Sequence, residues 1–231
     1  MTRSVQDAIT GFWGSIAGQY EAHAGNVPAR DSAELGEWIA AIRALLPAPP
    51  ADVLDIATGT GFVALIAAGL GHRVTAIDLA QPMLAEARAE AARGKLDVAF
   101  RTGDAVAPDF PQQSFDAIVN RHLFWTLRDP AAALAAWKRL LRPGGRVVVI
   151  DGFWFEPLRD DKPDEGLFES FYTRDVRKTL PGWRYFDTRP VAALFEQHGF
   201  RNVSVIGLDA IHRAAATPPG PEPGYALSAF A

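Results

Sequence analysis

Three aspartates stand where short apolar runs end. Asp55 lies inside Val53–Ala57, Asp78 closes Val74–Ile77, and Asp104 follows Val98–Phe100 by way of Gly103. Gly59-Thr60-Gly61 follows the first run, and with Ala64 it satisfies the G-x-G-x-x-[GA] pattern of a nucleotide-binding turn. Glycines there also serve a tight turn and close helix packing without any ligand. The aspartates narrow the choice. Asp55, four residues before Gly59, would repel a pyrophosphate held at the next helix N-terminus. Asp78 occupies the position from which a carboxylate grips ribose hydroxyls. Three carboxylates round one cleft suit a cationic, ribose-bearing ligand without phosphates. Each has a plainer reading: Asp104 and Asp78 as caps of the turns they begin, and Met83 as packing.

These residues need a scaffold that brings strand ends together. The spacing predicts a buried strand over 53–57, a helix over 62–70 stopped by Gly71, and a strand over 74–77. A helix with Pro82 in its first turn follows, then strands over 98–100 and 115–119. Asp129-Pro130 reads as an N-cap and first helical position, with Leu134, Trp137, Leu140 and Leu141 on one face. Arg142-Pro-Gly-Gly145 ends that helix before the strand 147–150. Alternating strands and helices predict a doubly wound α/β fold, a Rossmann-like three-layer sandwich. Ligands of such sheets lie at the carboxyl ends of the strands, near the reversal of strand order.

Composition bounds the rest. With 231 residues, 48% hydrophobic and 22% charged, one globular domain over 1–231 is expected. Its parts would be a helical region over 1–50, a ligand-binding core over 51–151, an insertion over 152–190, and a helix with a strand pair over 191–231. The absence of cysteine excludes disulfides, thiolate metal sites and cysteine nucleophiles. It fits a reducing compartment, and with no signal peptide or membrane span in the sequence a cytoplasmic location is expected. A net charge of −4 disfavours a nucleic-acid partner. The five histidines show no metal-ligand spacing, so no metal is expected. A monomer or homodimer is expected.

Five segments in order carry a family resemblance. Val53-Leu-Asp-Ile-Ala-Thr-Gly-Thr-Gly61, Val74-Thr-Ala-Ile-Asp-Leu-Ala-Gln-Pro-Met-Leu84, Gly103-Asp-Ala105, Phe115-Asp-Ala-Ile-Val119 and Leu140-Leu-Arg-Pro-Gly-Gly-Arg146 resemble the successive motifs of class I S-adenosylmethionine-dependent methyltransferases. S-adenosylmethionine is a cationic nucleoside of the kind the carboxylates suit, and S-adenosylhomocysteine is the product left after transfer. The resemblance implies a mostly parallel seven-stranded sheet with an antiparallel strand at one edge. Asp55 with Ala57, Thr58, Gly59, Thr60 and Gly61 would hold the methionine part. Asp78 would take the ribose, with Leu79 and Met83 against the adenine. Asp104 would accept from the adenine amino group, beside Gly103 and Ala105. Asn120 and Arg121 would line the methionine side. Ala57 departs from the glycine common there, which ordinary backbone dihedrals would tolerate.

The N-terminal Phe12–Tyr20, its helical pattern interrupted by Gly11, Gly14 and Gly18, resembles a segment that folds over the cofactor, with Tyr20 against it. The alternative is a peripheral helix packing Phe12, Trp13 and Ile16 on the sheet. His122 is the candidate proton acceptor, with Tyr20 second, or else a structural histidine. Trp13, Trp125, Trp154 and Phe171 are candidate walls for a small-molecule acceptor. The aromatics of the insertion would alternatively form its own core. The expected reaction is direct methyl transfer to nitrogen or oxygen. A nicotinamide-dependent oxidoreductase and a non-catalytic scaffold are the competing readings.

Overall fold

A computed structural model describes residues 4–21, 27–153, 165–214 and 224–231. Its centre is a sheet of seven strands: β1 (Asp52–Ile56), β2 (Arg73–Asp78), β3 (Val98–Thr102), β4 (Phe115–Arg121), β5 (Leu141–Asp151), β6 (Arg201–Gly207) and β7 (Tyr225–Phe230). Their order is β3-β2-β1-β4-β5-β7-β6. The strands β1 to β5 are mutually parallel, and β7 runs antiparallel to both β5 and β6. The expected antiparallel pair is therefore at the edge, with β6 outermost. Strand order reverses at β1 and β4, so the cleft of this fold opens beside those two strands.

Helices cover both faces. Successive residues of β1, Val53 and Leu54, belong to opposite cores, as the period of a strand requires. One core joins Leu54, Ile56 and Ile118 to Leu134 and Trp137 of α5 (Pro130–Leu140) and Phe195 of α8 (Thr188–Gln197). The other joins Val53, Ala76 and Val119 to Trp38 and Ile42 of α2 (Ala33–Leu45), Val63 and Ala67 of α3 (Phe62–Gly69), and Ile211 of α9 (Asp209–Ala214). The expected Asp129 cap is present: its side chain accepts from the Ala132 amide at 2.9 Å.

Three sequence expectations need correction. The β4 strand extends two residues further than the apolar run, so Asn120 and Arg121 are its last residues rather than loop. Arg142-Pro-Gly-Gly145 lies within β5 as a bulge: Leu141 faces Phe115 while Arg146 faces Ala117. The N-terminal helix α1 (Val5–Ile16) runs unbroken through Gly11 and Gly14 and opens on a Ser4/Asp7 capping box. At Gly11 a Cβ would lie 2.8 Å from the Phe171 ring, so this glycine admits a close neighbour rather than breaking the helix.

That neighbour is α6 (Leu167–Phe171), followed by α7 (Arg174–Thr179) and a 3₁₀ turn over Pro181–Arg184. With α1 and a second 3₁₀ turn over Phe124–Thr126, they enclose Ile9, Phe12, Trp125, Tyr172, Leu180 and Trp183 in a separate aromatic core. Phe168 stacks on Tyr172 with centroids 4.7 Å apart, and Phe12 meets both edge-on. The Tyr172 hydroxyl accepts from Trp13 Nε1 at 3.1 Å and lies 2.6 Å from Thr126 Oγ1. The two 3₁₀ turns touch through Gly182, where a Cβ would meet the Trp125 backbone at 2.5 Å. Backbone cannot retreat as a side-chain tip can. Gly182→Ala is therefore expected to destabilise the protein by about 1–3 kcal/mol, a fall in Tm of about 2–4 °C for each kcal/mol. An unchanged thermal midpoint would contradict this packing.

Candidate functional site

The turn after β1 is held by carboxylates from two strands. Asp55, 1% exposed, accepts through Oδ2 from the Thr58 hydroxyl at 2.7 Å and from the Ala64 amide at 3.1 Å. The latter is one of the first-turn N–H groups of α3 that otherwise lack a helical partner. Asp78 accepts from the Gly59 amide at 2.9 Å through Oδ2 and from the Ala80 amide at 2.8 Å through Oδ1. Gly59 and Gly61 take positive φ of 56° and 91°, which glycine adopts without steric cost. Ala57 also sits at φ 56°. The expectation of ordinary dihedrals there fails, because the chain must reverse sharply to let Thr58 return to Asp55.

Burial pushes the Asp55 carboxyl up to about 7, against the Thr58 and Ala64 bonds that favour its charge. Burial likewise raises Asp78, with the Ala80 and Gly59 amides opposing it. At Asp104 burial also works upward, but the Arg128 guanidinium and the Val106 amide outweigh it and hold the carboxyl below its usual range. The three aspartates thus differ in how readily they ionise.

A cleft opens above these strand ends, with about 770 Å³ of unfilled space, mouth included. Of the anticipated residues, Trp13, Tyr20, Ala57, Gly59, Asp78, Leu79, Met83, Gly103, Asp104, Ala105, Arg121 and His122 line it. A smaller hollow shares Tyr20, Ala57, Gly59 and Arg121 with it and is lined further by Asp55, Thr58 and Thr60. Gly61 borders neither, and its role is the turn itself. Asn120 borders neither: it is fully buried, and its amide atoms find no hydrogen-bond partner among the described residues. Trp125 and Phe171 pack in the aromatic core instead of lining the cleft. Trp154 lies outside the described residues.

The N-terminal helix covers the cleft rather than packing on the sheet: Gln6, Ile9, Thr10 and Trp13 of α1 form part of its wall. Tyr20, just beyond α1, meets Trp13 edge-on at 6.0 Å, and burial raises its hydroxyl above the ordinary range. Arg121 lies over the rings of Trp38 and Phe62, 4.9 and 4.7 Å from their centroids. His122 follows in the left-handed region at φ 57°, held by its amide bond to the Ile150 carbonyl at 2.8 Å. Burial, then the charge of Arg121, lowers the imidazole pKa well below 6.5, so the ring is neutral at neutral pH.

Two groups escaped the sequence reading. Arg128 pairs with Asp104 and also bonds Gln6. Asp151 ends β5 fully buried and accepts from the Phe124 amide at 2.8 Å, fixing the 3₁₀ turn that carries Thr126. Inspecting the end of every strand would have found Asp151. Nothing local to the sequence marks Arg128 as reaching back to β3 and α1.

The donor set fits an adenosyl cation and not a dinucleotide. Asp55 occupies the α3 amide where a pyrophosphate would bind. Its Oδ1 makes no hydrogen bond among the described residues, Asp55 is part of the hollow's lining, and Leu79, Met83 and Asp104 line the cleft beside it. Positive φ at Ala57 carries a further consequence. A non-glycine residue there costs roughly 1–2 kcal/mol, so Ala57→Gly is expected to raise Tm by a few degrees after the added unfolded-state entropy, about 0.4–1 kcal/mol, is subtracted. A lower Tm measured by calorimetry would contradict the positive φ.

Residues 54–149 match the family model described as a methyltransferase domain. A demethylmenaquinone methyltransferase of Thermus thermophilus is 38% identical over 143 residues, 61% of each chain, so this chain spans about three fifths of that relative's length. The ubiquinone/menaquinone biosynthesis C-methyltransferase UbiE of a Ruegeria species is 38% identical over 192 residues, covering 73% of this chain and 75% of that one. Among solved structures, phosphoethanolamine N-methyltransferase 2 of Haemonchus contortus, in complex with phosphomonomethylethanolamine and S-adenosylhomocysteine, superposes with a TM-score of 0.71 at 18% identity. That likeness covers 99% of this chain and 60% of the other, and it speaks for the fold alone. On the strength of the family-model match and of the identity extending over three quarters of the Ruegeria protein, the chain belongs to the class I S-adenosylmethionine-dependent methyltransferases.

Proposed function

We propose that the protein transfers a methyl group from S-adenosylmethionine to a carbon or oxygen atom of a small enolic or phenolic acceptor. The observation that carries this reading is one cleft lined at once by Asp78 and Asp104 and by Tyr20, Arg121 and His122. The relatives named for C-methylation turn the acceptor atom from the nitrogen or oxygen expected at first toward carbon. An enol or phenol suits both carbon and oxygen, because its conjugate base shares negative charge between the two.

When bound, the cofactor supplies a methyl group already activated on a sulfonium, so no acid is needed to expel the leaving group. The Asp55 carboxylate and the turn from Ala57 to Gly61 would hold its amino-acid part, Asp78 the ribose, and Leu79, Met83 and Asp104 the adenine. Arg121 would favour the acceptor's oxyanion by its positive charge. His122, neutral at neutral pH, would take the hydroxyl proton, and Tyr20 would stay protonated as a donor. The α1 cover, with Ile9 and Trp13 facing inward, would keep water from the reacting atoms. Orientation of acceptor and methyl in such an enclosure can supply about 7–11 kcal/mol.

Label transfer from methyl-labelled S-adenosylmethionine to naphthols and phenols tests the reading. Labelled product is expected. Tight binding of NAD with none of S-adenosylmethionine would favour an oxidoreductase, and cofactor binding without transfer to any acceptor would favour a scaffold. His122→Ala is expected to lower kcat about 10²-fold while cofactor affinity stays within a few-fold. At saturating cofactor, the kcat/KM profile of the parent enzyme for the acceptor should keep its activity down through pH 6.5, since the His122 pKa lies well below that value; an acid limb centred at or above 6.5 would remove His122 as the base.

The Asp55 carboxyl adds a second pH dependence. Its folded pKa of about 7 lies above the ordinary 3.8, so between these values the free protein binds more protons than the unfolded chain. A cationic amino group near Asp55 favours the ionised form. Cofactor affinity is therefore expected to rise from pH 6 to pH 8, with proton release seen by calorimetry in buffers of different ionisation enthalpy. Equal affinity and no proton release across that window would take Asp55 out of cofactor binding.

A further inference from the structure

One wall of the cleft holds a polar chain that ties Asp104 of the third motif to side chains outside all the motifs. Arg128 leaves the loop just before α5 and grips the Asp104 carboxylate with both terminal nitrogens, Nη1 to Oδ1 at 3.1 Å and Nη2 to Oδ2. The Val106 amide donates to the same Oδ1 at 2.9 Å, which fixes the carboxylate's plane. From its other side Arg128 Nη1 donates to the Gln6 side-chain oxygen on α1, and Gln6 in turn donates to Thr10 Oγ1 at 3.1 Å. Gln6, Thr10, Asp104 and Arg128 all border the cleft. One guanidinium thus touches the covering helix and the carboxylate at the adenine end together.

We propose that Arg128 is a positioning residue that couples recognition of the adenine amino group at Asp104 to closure of α1 over the cleft. The proposal rests on the cofactor reading given above. The fork of an arginine fixes both oxygens of a carboxylate in one plane. The three donors now on Asp104 leave an acceptor position on Oδ2. Asp104 so held accepts from an amino group and repels a carbonyl oxygen. The same arginine has one nitrogen shared with Gln6, so α1 is fastened to a side chain that the ligand itself stabilises. A bound adenine slows opening of the helix, and an open helix loosens the adenine site.

The test uses the whole protein with S-adenosylhomocysteine and S-inosylhomocysteine, which differ at the amino position. Affinities come from calorimetry and dissociation rates from stopped-flow tryptophan fluorescence. Arg128→Met is expected to weaken S-adenosylhomocysteine by about tenfold or more, as loss of a charged partner of a half-buried carboxylate implies. Preference for the adenosyl over the inosyl ligand should collapse toward unity. Arg128→Lys should restore only part of it, since an ammonium lacks the fork. Gln6→Leu leaves the Asp104 pair and α5 untouched. It should lower the preference in part, less than Arg128→Met does, while the ligand dissociates several-fold faster. Unchanged preference in Arg128→Met, or a parental dissociation rate in Gln6→Leu, overturns the coupling. A parent protein that binds neither ligand overturns the cofactor reading itself, which separates the two failures.

Discussion

The site depends on one buried carboxylate. Asp55 lies in the middle of the sheet, and its Oδ2 fastens the turn after β1 to the first turn of α3 through Thr58 and the Ala64 amide. An ionised carboxylate in that position loses most of its hydration, and two hydrogen bonds only partly replace it. The raised pKa has this burial as its largest cause. A positive ligand alongside would make up the remainder, which turns a structural compromise into affinity. The Asp78 bond to Gly59 fastens the same turn from β2. The turn is therefore strung between two carboxylates of adjacent strands, and this fixes where the backbone of Ala57 to Gly61 lies relative to the cleft.

What could be read from the sequence was what is encoded locally. The runs at 53–57, 74–77 and 147–150 are buried strands because their apolar residues are contiguous, and Asp129-Pro130 begins a helix because cap and proline are adjacent. The strand-end rule then placed Asp55, Asp78 and Asp104 together. The failures were at longer range. The packing of Trp125 and Phe171 depends on α1 and α6 meeting across more than 150 residues, and their aromatic character was equally consistent with a ligand wall. Asn120 has the polarity of a site residue, but β4 is covered on both faces and buries it. The Ala57 dihedral is imposed by Asp55 holding Thr58, a contact invisible to residue-type preference.

The covering helix and the aromatic core form a second structural layer on top of the sheet. Tyr172, fully buried, bonds Trp13 of the cover and lies against Thr126 in the turn after β4, so the cover is tied to the strand end as well as to Arg128. The strand ends are common to many enzymes of this fold, and the chemistry is set by what lies above them. Here that material is aromatic, and beside it stand a neutral histidine and an arginine lying over two rings that meet edge-on.

The far edge of the sheet has a different consequence. Within the sheet β6 pairs with β7 alone, and β7 lies between it and β5. The earlier strand therefore completes its ladder only when the later one is in place. Until β7 pairs with it, β6 has an unmated backbone beside Val205 and Ile206. That interval is when the polypeptide is most open to pairing with a neighbour of its own kind.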